Sequence, residues 1–274
     1  MASVTSLPAG IDCEDIIGFG TTGLVARFPN TNKVIKIPHG GDPEAYARFL
    51  IETRVYERFK QSPNRPASIL QYFSGSDKGI ILENAENATV RHYLHKSRDS
   101  FHERLLVRWA KQAAESLVFC HSEGILHGDI NCGNLFLDRD LNLKLGDFSG
   151  SSVDQSPALV CYSTTHQLPD DLFFSSTEAK ITEEMEVFAF GSTLYEMITG
   201  SEPYSDQEDA EVETLFRQKT FPDVSGLGML GSIICGCWYL DFHCMADVLS
   251  SIEAKGLFPN IISVYLNSAD SEIF

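Results

Sequence analysis

Positive charge is what this sequence has least of. Its 21 Lys and Arg stand against 38 Asp and Glu, a net charge of −17, so a polyanionic partner would have to overcome the field of the whole molecule. Nucleic acid and anionic membrane surfaces are therefore not expected as partners. The seven cysteines, at 13, 120, 132, 161, 235, 237 and 244, are odd in number and contain no CxxC pair. Neither a closed disulfide framework nor a structural zinc site is therefore expected. No uninterrupted apolar run is long enough to cross a bilayer, and the opening MASVTSLPAG lacks the basic start and apolar core of a secretion signal. A cytoplasmic or nuclear protein with reduced thiols, not secreted, is expected. Fixed-period repeats and low-complexity tracts are also missing.

What is present is a globular mixture, 43% hydrophobic and 22% charged over 274 residues, sufficient for one or two packed domains. From Ile11 to Ile37 the signals are short and strand-like: Asp15-Ile16-Ile17, a Gly-rich stretch, Leu24 to Phe28, a turn at Pro29 to Asn32, then Lys33 to Ile37. Between Asp42 and Lys60 the period changes, with Ala45, Phe49, Glu52, Tyr56 and Phe59 at helical intervals behind a capping Asp42-Pro43. Ile69 to Phe73 and Gly79 to Leu82 read as two further strands. Beyond Glu83 the pattern is helical, over His102 to Ser122, Thr182 to Thr199, Leu227 to Leu240 and Ala246 to Ala254. The expected architecture is α+β, a small β-rich lobe with one helix and a larger α-helical lobe, with a ligand cleft where the lobes meet.

Chemistry concentrates in three places. Gly18-Phe19-Gly20-Thr21-Thr22-Gly23-Leu24-Val25 has glycines where a Cβ would keep a polyphosphate away from the backbone, although a glycine-rich hairpin without ligand has the same spacing. A second strand follows rather than a helix, and it carries Lys36. A lysine ending an apolar strand is costly to bury unless anions meet it. Glu52 is the better candidate for that carboxylate and Glu57 the competing one, with a solvated helix face as the plain reading of either. The third place is His127-Gly128-Asp129-Ile130-Asn131-Cys132-Gly133-Asn134, followed by Asp147-Phe148-Ser149. It sets Asp129, Asn134 and Asp147 on short loops between apolar segments. A carboxylate to orient a hydroxyl and oxygen ligands for Mg²⁺ are the parts that phosphoryl transfer needs.

Taken in order, these motifs resemble the eukaryotic protein kinase domain, from about Ile11 to Ala254. Gly18 to Val25 is similar to its glycine-rich loop, Val34-Ile35-Lys36 to the lysine-bearing strand and Leu82-Glu83-Asn84-Ala85 to the gatekeeper and adenine-binding hinge. His127 to Asn134 resembles the catalytic loop, Asp147-Phe148-Ser149 the magnesium motif, and Glu186 to Gly191 with Gly200 the central helix of the larger lobe. The resemblance implies a bilobal kinase-like fold in one domain over 11–258, with an N-lobe at 11–83, a C-lobe at 84–258 and a tail at 259–274. It implies that Lys36, paired with Glu52, holds the phosphates of ATP, that Asp129 orients the substrate hydroxyl, and that Asn134 and Asp147 bind Mg²⁺. Ile17, Gly18, Phe19, Gly20, Thr21, Thr22, Gly23, Val25, Glu83 and Ala85 would line the nucleotide site. His127 and Phe148 are expected to pack between the lobes.

The departures are specific. Gly128 replaces the arginine that in many family members receives an activation-segment phosphate, and Ser149 replaces the glycine of the magnesium motif. Asn131 stands where a lysine usually neutralises the moving phosphoryl group, leaving no cation between Asp129 and Arg139. Leu168-Pro169-Asp170 matches the closing motif of the activation segment poorly, and Glu186 replaces an aspartate. The expected function is a Ser/Thr-type protein kinase using ATP and Mg²⁺. The alternatives are a pseudokinase that binds without catalysing and a small-molecule phosphotransferase sharing the His-Gly-Asp-x-x-x-x-Asn loop. The acidic run from Asp170 to Glu213, relieved by Lys180 alone, points either to basic substrates or to a solvated face. Hydroxyls at Ser151, Ser152, Ser156, Tyr162, Ser163, Thr164 and Thr165 are candidate regulatory sites.

Overall fold

A computed structural model describes residues 7–96, 102–169 and 180–256. The closing-motif residue Asp170, the acids Asp171 and Glu178, and the 259–274 tail lie outside the described residues. Five antiparallel strands form the sheet of the smaller lobe: β1 (Ile16–Phe19), β2 (Gly23–Arg27), β3 (Lys33–Pro38), β4 (Tyr72–Ser76) and β5 (Gly79–Glu83), in the order β1-β2-β3-β5-β4. Lys36 sits on the middle strand, opposite Val25 on one side and Ile80 on the other.

The helix α1 (Pro43–Gln61) starts where the sequence places a cap: the Asp42 carboxylate accepts from the amides of Glu44 at 2.9 Å and Ala45 at 3.2 Å. Such a cap is worth about 1 kcal/mol. Its buried face is Ala45, Phe49, Glu52, Val55, Tyr56 and Phe59, the stripe that the spacing predicts. A glutamate within an apolar stripe marks the face that looks into the cleft.

The larger lobe contains α2 (Val90–Lys96), α3 (Glu103–Ser122), β6 (Ile125–Leu126), β7 (Leu135–Leu137), β8 (Leu143–Leu145), β9 (Ser152–Val153), α4 (Glu183–Thr199), α5 (Asp209–Arg217), α6 (Gly228–Trp238) and α7 (Met245–Gly256). The hairpin β7-β8 carries the loops at Asp129–Asn134 and Asp147 at its ends, and β6 pairs with β9. Helix α4 is buried on nearly every side, including Val187, Phe188, Ala189, Phe190 and Leu194, so it is the axis of this lobe. One apolar core runs continuously from Val34 and Phe49 through Phe148 to Phe188 and Trp238, with a small satellite of Ile11, Ala26, Ile35 and Ile37 on the other face of the sheet. The α+β, two-lobed arrangement is as expected.

Three local expectations shift. The strand expected at Ile69 to Phe73 begins only at Tyr72, because Ile69 bridges to Leu145 and the Leu70 amide donates to the Leu145 carbonyl at 3.0 Å. Those residues stitch the lobes together instead of extending the sheet. Helices α2 and α5 escape the sequence reading because each buries only two residues, Val90 with Leu94 and Val212 with Phe216. One i,i+4 pair is too small a periodic signal.

Candidate active site

Lys36 resolves the first open choice. Its ammonium lies 2.6 Å from Glu52 Oε2 and 2.7 Å from Asp147 Oδ1. Glu57 instead accepts a very short hydrogen bond from the Tyr72 hydroxyl. Residues 36, 52 and 147 come from β3, α1 and the turn after β8, so their meeting depends on both lobes being docked. Burial opposes the charge on Lys36, but the Asp147 and Glu52 carboxylates outweigh it and hold the ammonium well above its ordinary range. Asp147 is likewise opposed by burial and held at about 2 by that ammonium. Two carboxylates share one cation, and burial pushes Glu52, the more enclosed of them, up to about 7 against the pull of Lys36.

Asp147 itself adopts a left-handed backbone, φ 58° and ψ 67°, which turns its carboxylate into the cleft and drives the next side chain inward. Phe148 is fully buried, with its ring centroid 5.3 Å from Tyr56 and Phe59 of α1 and 5.0 Å from His127. His127 is buried beside it with Nε2 3.0 Å from the Gly146 carbonyl, so both residues pack between the lobes as expected. Ser149 lies in a short 3-10 turn and does not take a positive φ, so the missing glycine causes no backbone conflict.

Asp129 is fixed on both oxygens. Asn131 Nδ2 donates to Oδ1 at 2.9 Å, and Asn134 Nδ2 donates to Oδ2 at 2.9 Å and to the Asp129 carbonyl at 2.7 Å. Asn131 Oδ1 in turn accepts from the Gly133 amide at 2.8 Å. The position read from sequence as a missing cation is therefore an amide that orients the carboxylate. Burial raises the Asp129 carboxyl above its usual range, with His127 and the Asn134 hydrogen bond pulling the other way. Asn134 spends its amide nitrogen on Asp129, which leaves its Oδ1, together with the carboxylate of Asp147, as the oxygens able to meet a cation. Two hard oxygen donors, to be completed by phosphate oxygens and water, fit Mg²⁺.

Above these groups the β1-β2 turn closes with the Gly20 amide donating to the Gly23 carbonyl at 2.8 Å, and His39 Nε2 lies 2.8 Å from the Gly20 carbonyl. Its glycines are not equivalent. A Cβ on Gly23 would come within 2.1 Å of the Ile37 carbonyl oxygen, so the sheet requires that glycine. Cβ atoms on Gly18 and Gly20 would meet nothing closer than 3.7 Å, so no neighbour in the protein forbids a side chain there. Backbone left bare without internal need is what close approach of a phosphate asks for. Ile17, Phe19 and Thr21 are exposed, Val25 is half-buried and Thr22 is buried. At the end of β5 the Glu83 carboxylate accepts from the Gln71 amide at 2.8 Å and pairs with Lys144 at 3.3 Å. Its side chain is thus committed to the protein, and any contact of Glu83 or the half-buried Ala85 with an adenine would be through the main chain.

Beneath the loop at 127–134, Glu186 is fully buried and accepts from the Gly128 amide at 2.8 Å and the Tyr162 hydroxyl at 3.1 Å, with His121 Nε2 at 2.6 Å. Gly128 has φ +80°, and a Cβ there would meet Ile181 Cδ1 at 2.6 Å and the Gly150 carbonyl oxygen at 2.8 Å. The arginine missing from this position would have no room. Arg91 of α2 clasps Glu196 at 2.5 Å and 2.9 Å and also pairs with Glu202, whose other oxygen accepts from the Thr165 hydroxyl at 2.9 Å. The acidic run is thus not one solvated face, since Glu186 and Glu196 are buried and partnered, while Asp206, Glu208, Asp209 and Glu211 are exposed. Of the candidate regulatory hydroxyls, Ser151, Ser152, Tyr162 and Thr165 are buried. Sequence reasoning missed Arg91, Lys144 and the role of Asn131. The partners of Arg91 and Lys144 lie 61 or more positions away, and no local spacing signals them.

A family model described as the protein kinase domain matches residues 12–231. The serine/threonine-protein kinase A-Raf of Mus musculus is similar at 28% identity, covering 93% of this chain and 43% of that protein. Its counterparts in Rattus norvegicus and Sus scrofa match at the same identity and coverage. The chain thus spans less than half the length of these curated relatives.

Proposed function

The chain belongs to the protein kinase domain family, and on that premise we propose that it transfers the γ-phosphoryl group of MgATP to serine or threonine hydroxyls of a protein substrate. The observation that carries this reading is the meeting of Lys36, Glu52 and Asp147 at 2.6 and 2.7 Å, which aims a buried ammonium into the cleft where nucleotide phosphates would lie. A degenerate binding module is free to lose any of these parts. Here they are assembled, with Asp129 and Asn134 oriented next to them.

In this reading Lys36 meets the phosphates of the nucleotide, and Glu52 keeps it aimed there. The amides of Asn131 and Asn134 hold Asp129 so that its carboxylate receives the substrate's hydroxyl hydrogen. The hydroxyl oxygen bonds to the γ-phosphorus as the bond from that phosphorus to the β–γ bridging oxygen breaks, and the proton passes to Asp129. Asn134 and Asp147 would hold Mg²⁺, which neutralises charge on the phosphate oxygens. The exposed acids around the start of α5 support a basic preference in the substrate.

The test is transfer of radiolabel from γ-labelled ATP to protein, followed by identification of the phosphorylated residue type. Incorporation on serine or threonine is expected, falling by about 100-fold or more in Asp129→Ala. No transfer, together with no thermal shift by MgATP, would sink the reading.

A further inference from the structure

Glu52 reaches Lys36 only while α1 stays docked, and a cluster outside the cleft ties down the C-terminal half of that helix. Asp154, the residue after β9, accepts from Arg58 with both oxygens, Oδ1 from Nη1 and Oδ2 from Nη2, each at 2.7 Å. Its Oδ2 also lies 3.3 Å from Arg54 Nη2, one helical turn earlier on α1. Arg58 Nη1 donates in addition to the Glu123 carbonyl at 2.8 Å. One guanidinium therefore joins α1, the end of α3 and the segment that follows Asp147.

The chain is shaped to deliver this carboxylate. Asp154 and Gln155 have φ of 53° and 64°, a tight left-handed turn. The turn is closed by the Val153 amide donating to Ser156 Oγ at 3.0 Å, and the Asp154 amide donates to the Gly124 carbonyl at 2.9 Å. Gly124 faces it at φ +72°, and a Cβ there would come within 3.0 Å of Asp154 Oδ1. A two-pronged carboxylate-guanidinium pair is directional, and with the Asp154 side chain 54% exposed and that of Arg58 27% exposed its strength is limited by solvent screening. A phosphate on a loop hydroxyl would order the segment through the same kind of arginine contact. At Gly128, the position where a phosphate would otherwise find its arginine, the packing leaves no space for a side chain.

We propose that Asp154 is a resident anion in place of a phosphate, a positioning residue that clamps α1 through Arg58 and Arg54 so that the Lys36–Glu52 pair forms without modification of the chain. Its consequence for catalysis rests on the phosphotransfer reading, whereas the clamp itself does not. The anion is permanent, so the clamp is set when the chain folds.

Amide hydrogen exchange on the full chain without nucleotide tests the clamp, comparing wild type with Asp154→Asn, Arg58→Gln and the conservative Asp154→Glu. Exchange across α1 should rise by about threefold in the first two variants, stay near wild type in the third, and remain unchanged in α4 in all of them. A purely structural loss would speed α4 as well. Alongside, phosphatase-treated wild type should keep its phosphotransfer rate, while Asp154→Asn lowers kcat/KM for ATP about threefold. Unchanged α1 exchange in both Asp154→Asn and Arg58→Gln overturns the proposal, as does loss of the wild-type rate on phosphatase treatment. If wild type shows no phosphotransfer yet α1 responds as described, the clamp stands and the catalytic reading falls.

Discussion

Two charge clusters in this molecule have the same stoichiometry, one cation and two carboxylates, and opposite characters. In the cleft Lys36 faces Glu52 and Asp147; beneath residues 162–166 Arg91 faces Glu196 and Glu202. The arginine uses a planar fork and leaves nothing over: both oxygens of Glu196 accept from it, and the second oxygen of Glu202 is taken by Thr165. The lysine is a point charge that satisfies neither carboxylate completely, and the Asp147 side chain is still 36% exposed. The difference teaches that a closed cluster maintains architecture and an open one is available for chemistry. The choice of Lys or Arg is part of that distinction.

The largest effects should come from exchanging the two cations for methionine. Lys36→Met is expected to cut phosphotransfer by about 100-fold or more. The urea midpoint should barely move, because Glu52, already pushed to about 7, can take up a proton when its cation is lost. Arg91→Met should do the reverse. It leaves Glu196 buried and uncompensated, which costs about 2 kcal/mol, below the usual 3–5 because the guanidinium is a third exposed. Equal stability losses in the two variants would break the comparison.

The closed cluster also has an acid-sensitive neighbour. His166 is 1% exposed, with Nδ1 near the hydroxyls of Ser163 and Thr165 and Nε2 without a partner among the described residues. Burial lowers it to about 4, although Glu202 and Glu196 pull the other way. The sign follows from linkage: between pH 6.5 and 4 the unfolded chain binds the proton that the folded chain refuses, so stability falls as the pH drops through this window. The loss should be about 2 kcal/mol between pH 7 and pH 5. Urea titrations should show that portion of the pH dependence disappearing in His166→Asn. A profile equally steep in the variant would mean that the histidine takes up its proton freely in the folded state.

A smaller effect tests the open side. Supplying the cation that the catalytic loop lacks, by Asn131→Lys, removes an amide from Asp129 Oδ1 and another contact from the Gly133 amide. Lost orientation should outweigh gained charge, lowering kcat about tenfold with little change in KM for ATP. A faster variant would show that charge, not orientation, limits this loop.

How much of this was legible in the sequence depended on how local each signal is. Helix α1 was legible because Asp42, Pro43 and the stripe from Ala45 to Phe59 all lie within one segment. Asp129, Asn134 and Asp147 are legible as candidates because the order and short spacing of the two loops single them out. The choice between Glu52 and Glu57 was not, since only the docking of α1 shows which glutamate faces β3 and which meets Tyr72. In the sequence Asn131 stands out only as the absence of a lysine, whereas its hold on Asp129 depends on a side-chain geometry that residue order does not encode. Glu196 belongs to an acidic run in the sequence, and its partner Arg91 lies 105 positions earlier, beyond the reach of any local signal.

That last pairing narrows the remaining role of the negative charge. Among the described residues of the run, Glu186 and Glu196 are buried, Glu202 is held by Arg91 and Glu213 pairs with Arg217, while Glu184 at the start of α4 and Asp206, Glu208, Asp209 and Glu211 around the start of α5 are exposed, the last four forming the denser group. Exposed charges act through a screened field, so they bias encounter more than they fix a bound geometry. Peptides enriched in Lys and Arg should therefore be preferred by only about threefold at low salt, with the preference fading as the ionic strength approaches 0.15 M. A joint Glu208→Gln, Asp209→Asn and Glu211→Gln variant should lose it while keeping its rate on neutral peptides. A preference that survives both salt and the triple substitution would instead require a substrate cation to enter the closed cluster and displace Arg91. That outcome would make Glu196 part of the chemistry and erase the distinction between the two sites.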